Sequence, residues 1–69
     1  MKTKKQIINE MIDQVSEDNI RHEIGKGFAE FKQASTQKDS HIGEIARAQA
    51  TIKANCEFID YLREELKKC

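Results

Sequence analysis

The chain has no proline, no tryptophan and only four phenylalanine and tyrosine residues together among its 69, while 35% of its residues are charged. That balance suits solvent-facing helices, and the regular spacing of its apolar residues argues against disorder. Only two cysteines are present. They cannot form the dense disulfide framework of small secreted proteins. Cys56 and Cys69 fall on one predicted helix about 20 Å apart, which excludes a bond between them within that helix. A reducing cytoplasm is the expected setting. No apolar run approaches the length of a membrane span, and the apolar residues after the basic Met1–Lys5 segment are interrupted by Asn9, Glu10 and Asp13, so no signal-peptide core is expected.

Charge of one sign is also lacking. Twelve basic and twelve acidic residues give a net charge of zero, which weakens any argument for nucleic acid or an anionic membrane as partner. Chemical motifs are equally scarce. The two histidines, His22 and His41, show no His-x-x-x-His or Glu-x-x-His spacing, and the cysteines form no Cys-x-x-Cys. Gly25-Lys26-Gly27 follows no strand and matches neither the P-loop nor the dinucleotide fingerprint. Cys56 sits beside an apolar seam as a small half-buried hydrophobe with no base implied next to it. No catalytic residue, metal ligand or cofactor is therefore expected.

What the sequence does contain is a heptad seam. Ile45, Ile52, Ile59 and Leu66 recur every seven residues, with Ala48, Asn55, Leu62 and Cys69 three residues after each. This predicts a long coiled-coil-like helix that begins between residues 37 and 41 and runs to about residue 68, packed along its length against other helices. A second apolar face, Ala46, Ala50, Ala54, Phe58 and Tyr61, lies off the seam at spacings of three and four. Asn55 stands alone as a polar residue in the seam, where a lone amide either fixes register or oligomer state at a cost in stability or lies solvated at the edge of the interface.

Upstream, Ile7, Ile8, Met11, Ile12 and Val15 give one helical stripe over residues 4 to 15. At Val15-Ser16-Glu17-Asp18-Asn19-Ile20 a new helix start is predicted, with Ser16 as cap and Val15 stapled to Ile20. This second helix continues through Ile24, Phe28, Phe31 and Ala34, and Gly25-Lys26-Gly27 marks either a bend or the close approach of another helix. The polar stretch 33 to 40 is the expected hairpin loop, with Thr36, Asp39 and Ser40 as capping residues.

The expected fold is thus all-α: one domain over residues 1–69, a helical hairpin whose first arm is split into two helices. A compact globule of this length has a radius of gyration near 11 Å, about 28 Å across, yet a thirty-residue helix is about 45 Å long. The single chain must then be one layer, and a homodimer or larger homo-oligomer is expected. Its interface would draw on Ile45, Ala48, Ile52, Asn55, Ile59, Leu62 and Leu66, and on Ala50, Ala54, Phe58 and Tyr61. The expected function is binding, as a protein-binding adaptor, inhibitor or assembly factor of the small accessory kind found in phages, other viruses and plasmids. The alternative is a small nucleic-acid-binding regulator using the basic first half, Lys2, Lys4, Lys5, Arg21, Lys26 and Lys32. Membrane binding is not expected.

Overall fold

A computed structural model describes residues 1–36 and 41–69. Two helices make up the described chain, α1 from Lys4–Thr36 and α2 from Ile42–Lys67, packed side by side as an antiparallel hairpin. The molecule is a single layer, 51 × 18 × 12 Å, with a radius of gyration of 15.9 Å. That exceeds the roughly 11 Å of a compact globule of the same length, as the helix-length argument requires. The predicted end of the long C-terminal helix, about residue 68, agrees with α2 ending at Lys67, and α2 starts one residue after the latest predicted start at 41. The caps proposed at Asp39 and Ser40 lie outside the described residues.

The split first arm is a correction. The predicted break at Val15-Ser16 does not occur, and α1 is one uninterrupted helix of 33 residues. Ser16, Glu17 and Asp18 are good residues for a helix start, but nothing among them forces a stop. Ending a helix orphans four carbonyls and starting the next orphans four amides, so the helix continues through a segment such as this, where good caps are the only signal and no run of poor helix formers accompanies them. The same reasoning carries α1 through Gly25 and Gly27, where the cost of about 1 kcal/mol per glycine is less than that of a break. Close approach by α2 does not account for these glycines, since a Cβ built on either meets nothing within 4 Å.

The N-terminus of α1 is closed by a reciprocal cap. Thr3 N–H donates to Gln6 Oε1 at 2.9 Å, and Gln6 N–H donates to Thr3 Oγ1 at 3.2 Å. At the other end the Ser35 and Thr36 hydroxyls donate to the Phe31 and Lys32 carbonyls, each at 3.0 Å, and so satisfy acceptors of the last turn.

Continuity has a large consequence for packing. The stripe Ile8, Met11, Ile12, Val15 and Asn19 faces α2, with Ile8 and Asn19 buried and Met11, Ile12 and Val15 half-buried. At 100° per residue, Ile20, Ile24, Phe28 and Phe31 fall within about 80° of one another on roughly the opposite side. All four are more than half exposed, at 57%, 68%, 59% and 68%. Had the helix broken at Ser16, its second half could have turned this stripe inward. Unbroken, α1 changes its apolar side midway, and after Asn19 buried Ala29 and half-buried His22, Lys26, Lys32 and Gln33 remain toward α2.

The seam of α2 packs on α1 of the same chain: Ile59 and Leu62 are buried, and Ile45, Ala48, Ile52, Asn55 and Leu66 are half-buried. Among the described residues only five are buried and none completely. For a chain of this size, stability of roughly 3–10 kcal/mol is the ordinary range. Leu62→Ala is expected to lower the unfolding free energy by about 2–5 kcal/mol, enough to leave much of the chain unfolded, whereas Thr3→Ala should cost only about 1 kcal/mol. Urea titrations followed by circular dichroism compare the two; equal losses would mean that Leu62 is not part of the core.

Candidate functional site

Midway along the hairpin a polar layer joins the helices. The Asn55 side-chain amide donates to Asn19 Oδ1 at 2.7 Å and to Asp18 Oδ2 at 3.1 Å. Asn19 in turn directs its own amide at the Ile52 carbonyl and at Cys56 Sγ, both 3.5 Å away. His22 Nε2 lies 3.1 Å from the same Asp18 oxygen, one turn further along α1. The amide expected to pair across subunits therefore has its partner in its own chain. Asn19 carries the arrangement and is 92% withdrawn from solvent, at 8% exposure. Its signal was present in the sequence: Ile8, Ile12, Val15 and Asn19 continue one helical row, so both seams carry an asparagine at the level where they meet.

Two ion pairs between the helices set the same alignment at the ends. Lys4 Nζ is 3.9 Å from Glu65 near the termini, and Lys32 Nζ is 3.7 Å from Glu44 near the turn. These are exposed or partly exposed and contribute little individually. The buried amide layer is different in kind, because sliding one helix past the other would leave Asn19 unpaired in an apolar setting.

Of the other singled-out residues, His41 begins α2, its backbone N–H donating to Gln33 Oε1 at 3.0 Å and its Nδ1 standing 3.4 Å from Glu44. Cys56 is exposed and not half-buried as its seam position predicts. It stands at the e position at the edge of the seam, where a single neighbouring helix leaves it largely uncovered. Among the described residues no three His, Cys, Asp or Glu side chains converge as a metal site would require. A shallow groove of about 440 Å³ runs beside the polar layer, lined by His22, Glu44, Arg47, Ala48 and Thr51.

The basic first half does not form an uninterrupted cationic stripe. Lys2 pairs with Glu10, Lys4 with Glu65, Arg21 with Glu17, Lys26 with Glu30 and Lys32 with Glu44. Each carboxylate reduces the field that a phosphate backbone would meet.

Apolar surface is the more distinctive feature. On α2 the second face, Ala46, Ala50, Ala54, Phe58 and Tyr61, is exposed in the single chain. Phe58 and Tyr61 meet edge to face, with ring centroids 6.5 Å apart. Beside them α1 supplies Ile8 and Met11, and a groove of about 390 Å³ results, lined also by Leu62 and flanked by Lys4 and Glu65. The sequence placed Phe58 and Tyr61 on a free face, but it did not place Met11 across from them, since that depends on how the two helices align. The second apolar surface is the outer stripe of α1, Ile20 to Phe31.

No family model, curated protein or solved structure matches this chain.

Exchange of the asparagines gives a test of the polar layer. Asn55→Leu alone is expected to destabilise by about 1–3 kcal/mol, because the buried Asn19 oxygen loses its donor. The double variant Asn19→Leu with Asn55→Leu should regain that loss, with a coupling of about 0.5–3 kcal/mol in a double-mutant cycle. Strictly additive effects would show that the two amides do not act on each other.

Proposed function

We propose that this protein is a small non-enzymatic binding module, an adaptor, inhibitor or assembly factor, that works as a homo-oligomer and holds another protein through its helical surfaces. The observation that carries this reading is the groove at the terminal end of the hairpin, where Phe58 at 40% and Tyr61 at 51% exposure stand open beside Met11. Aromatic and methionine side chains are the residues that dominate protein interfaces, and exposing them in water is unfavourable unless something covers them. An amphipathic helix or short apolar segment of a partner fits such a groove, with Lys4 and Glu65 at its rim to orient it.

A rigid scaffold supports the reading. Phe58, Tyr61 and Met11 lie on regular helices whose alignment the Asn19–Asn55 layer fixes, so little conformational entropy is lost when a partner docks. The nucleic-acid alternative draws less support, since five of its basic side chains already have carboxylates beside them. Two exposed free thiols suit a reducing cytoplasm, and the small size suits an accessory role of the viral or plasmid kind.

A photo-reactive amino acid placed at Tyr61 in the native host is expected to capture one defined protein, and the adduct should be lost on introducing Met11→Glu into the same chain. The same probe at Glu23, away from the groove, should capture nothing in particular. Equal yields at both positions, or adducts chiefly with nucleic acid, would remove the basis for this reading.

A further inference from the structure

We propose that the outer stripe of α1, Ile20, Ile24, Phe28 and Phe31, is the self-association face, and that it pairs antiparallel with the same stripe of a second copy about a two-fold axis beside Gly25–Gly27. This deepens the reading above by assigning the homo-oligomer to one face, and it uses residues separate from the groove at Phe58 and Tyr61.

Three observations select a second copy as the occupant. The first is self-complementarity. The stripe has its two isoleucines toward one end and its two phenylalanines toward the other. An antiparallel partner sets Ile20 against Phe31 and Ile24 against Phe28, so each broad ring meets a branched aliphatic chain instead of another ring. An isologous contact of this kind closes on itself and yields a dimer. A parallel partner would stack like on like along the whole stripe.

The second is the position of the glycines. Both antiparallel pairings have their midpoint beside Gly25-Lys26-Gly27, the place where two helices crossing on a two-fold axis come nearest. A Cβ at Gly25 or Gly27 would meet nothing within 4 Å in the single chain, so the chain's own packing gives no reason for two residues that weaken the helix. A second backbone at the axis gives one for Gly27, which stands at the edge of the stripe; Gly25 falls about 60° beyond the opposite edge.

The third is area. Lys32 lies over the Phe28 ring, 4.8 Å from its centroid, and so is held at the edge of the stripe. Four large side chains, each more than half exposed, present roughly 500 Å² per chain, and two copies would withdraw about 1,000 Å² before flanking contacts are counted, the size at which a specific interface begins.

Analytical ultracentrifugation of the full chain under reducing conditions tests this directly. The wild type is expected to sediment as a dimer, twice the 8.0 kDa chain mass. Ile24→Glu with Phe28→Glu should weaken dimerisation by about 100-fold or more while circular dichroism stays helical, because neither side chain contributes to the hairpin core. Gly27→Leu should weaken the dimer yet raise the helicity of the monomer, an opposite pair of effects that general misfolding would not produce. Tyr61→Glu should leave the dimer intact. With Cys56 and Cys69 replaced by serine, Ile20→Cys combined with Phe31→Cys should oxidise to a covalent dimer, and Ile20→Cys alone should not. A monomeric wild type, a dimer lost with Tyr61→Glu and kept with Ile24→Glu and Phe28→Glu, or efficient cross-linking by Ile20→Cys alone would each overturn the proposal. A monomeric wild type would also remove the homo-oligomer from the reading above, whereas capture of a partner by the probe at Tyr61 tests the groove alone, so the two failures are distinguishable.

Discussion

The phase of one helix governs most of this structure. Because α1 runs unbroken from Lys4 to Thr36, the angular position of every side chain is set by those before it, and the apolar row that begins at Ile8 cannot be re-aimed after Asn19. The sequence places its next apolar residues, Ile20 to Phe31, out of step with that row. The helix resolves the conflict by staying whole and leaving them outside. Breaking it would have buried four large side chains but orphaned backbone groups in a chain with few other interactions to spare. The exposed stripe thus follows from backbone hydrogen bonding taking precedence over side-chain burial.

Alignment between the helices is the second constraint, and here polar contacts decide where apolar ones do not. A thin seam of isoleucine and leucine is tolerant, since sliding by a turn exchanges one aliphatic contact for another. The amide layer is not tolerant: Asn19 has a donor at 2.7 Å in one alignment and none in its neighbours. The same alignment brings Met11 beside Phe58 and Tyr61, so the apolar groove near the termini lies in the register that the amide pair specifies.

How far the sequence disclosed this depends on the kind of information each element needs. The extent of α2, its seam, and the single-layer shape follow from periodicity and rise per residue, quantities a sequence carries locally. The free face at Ala50, Ala54, Phe58 and Tyr61 follows for the same reason. The split of the first arm at Ser16 did not survive, because capping residues permit a helix to begin without requiring the previous one to end. With the helix unbroken, Phe28 and Phe31 stand on the outer side of the hairpin. The pairing of Asn55 with Asn19, and the facing of Met11 and Phe58, are relations between distant segments. They become legible only once the two rows are known to run antiparallel and the asparagines are matched.

A chain with only five of its described residues buried has little stability in reserve. For such a molecule, binding and folding draw on the same free energy, because any ligand of the folded state that ignores the unfolded one adds about 2.7 kcal/mol when present at a hundred times its dissociation constant. Set against roughly 3–10 kcal/mol for the domain, that increment is a substantial fraction. A change on the outer faces of this hairpin would then act twice, on the contact itself and on the fraction of chains that remain folded. The consequence is an asymmetry between residue classes. Core residues such as Leu62 affect recognition through stability, whereas Phe28 or Tyr61 would affect stability through recognition, to an extent that grows with the concentration of whatever covers them.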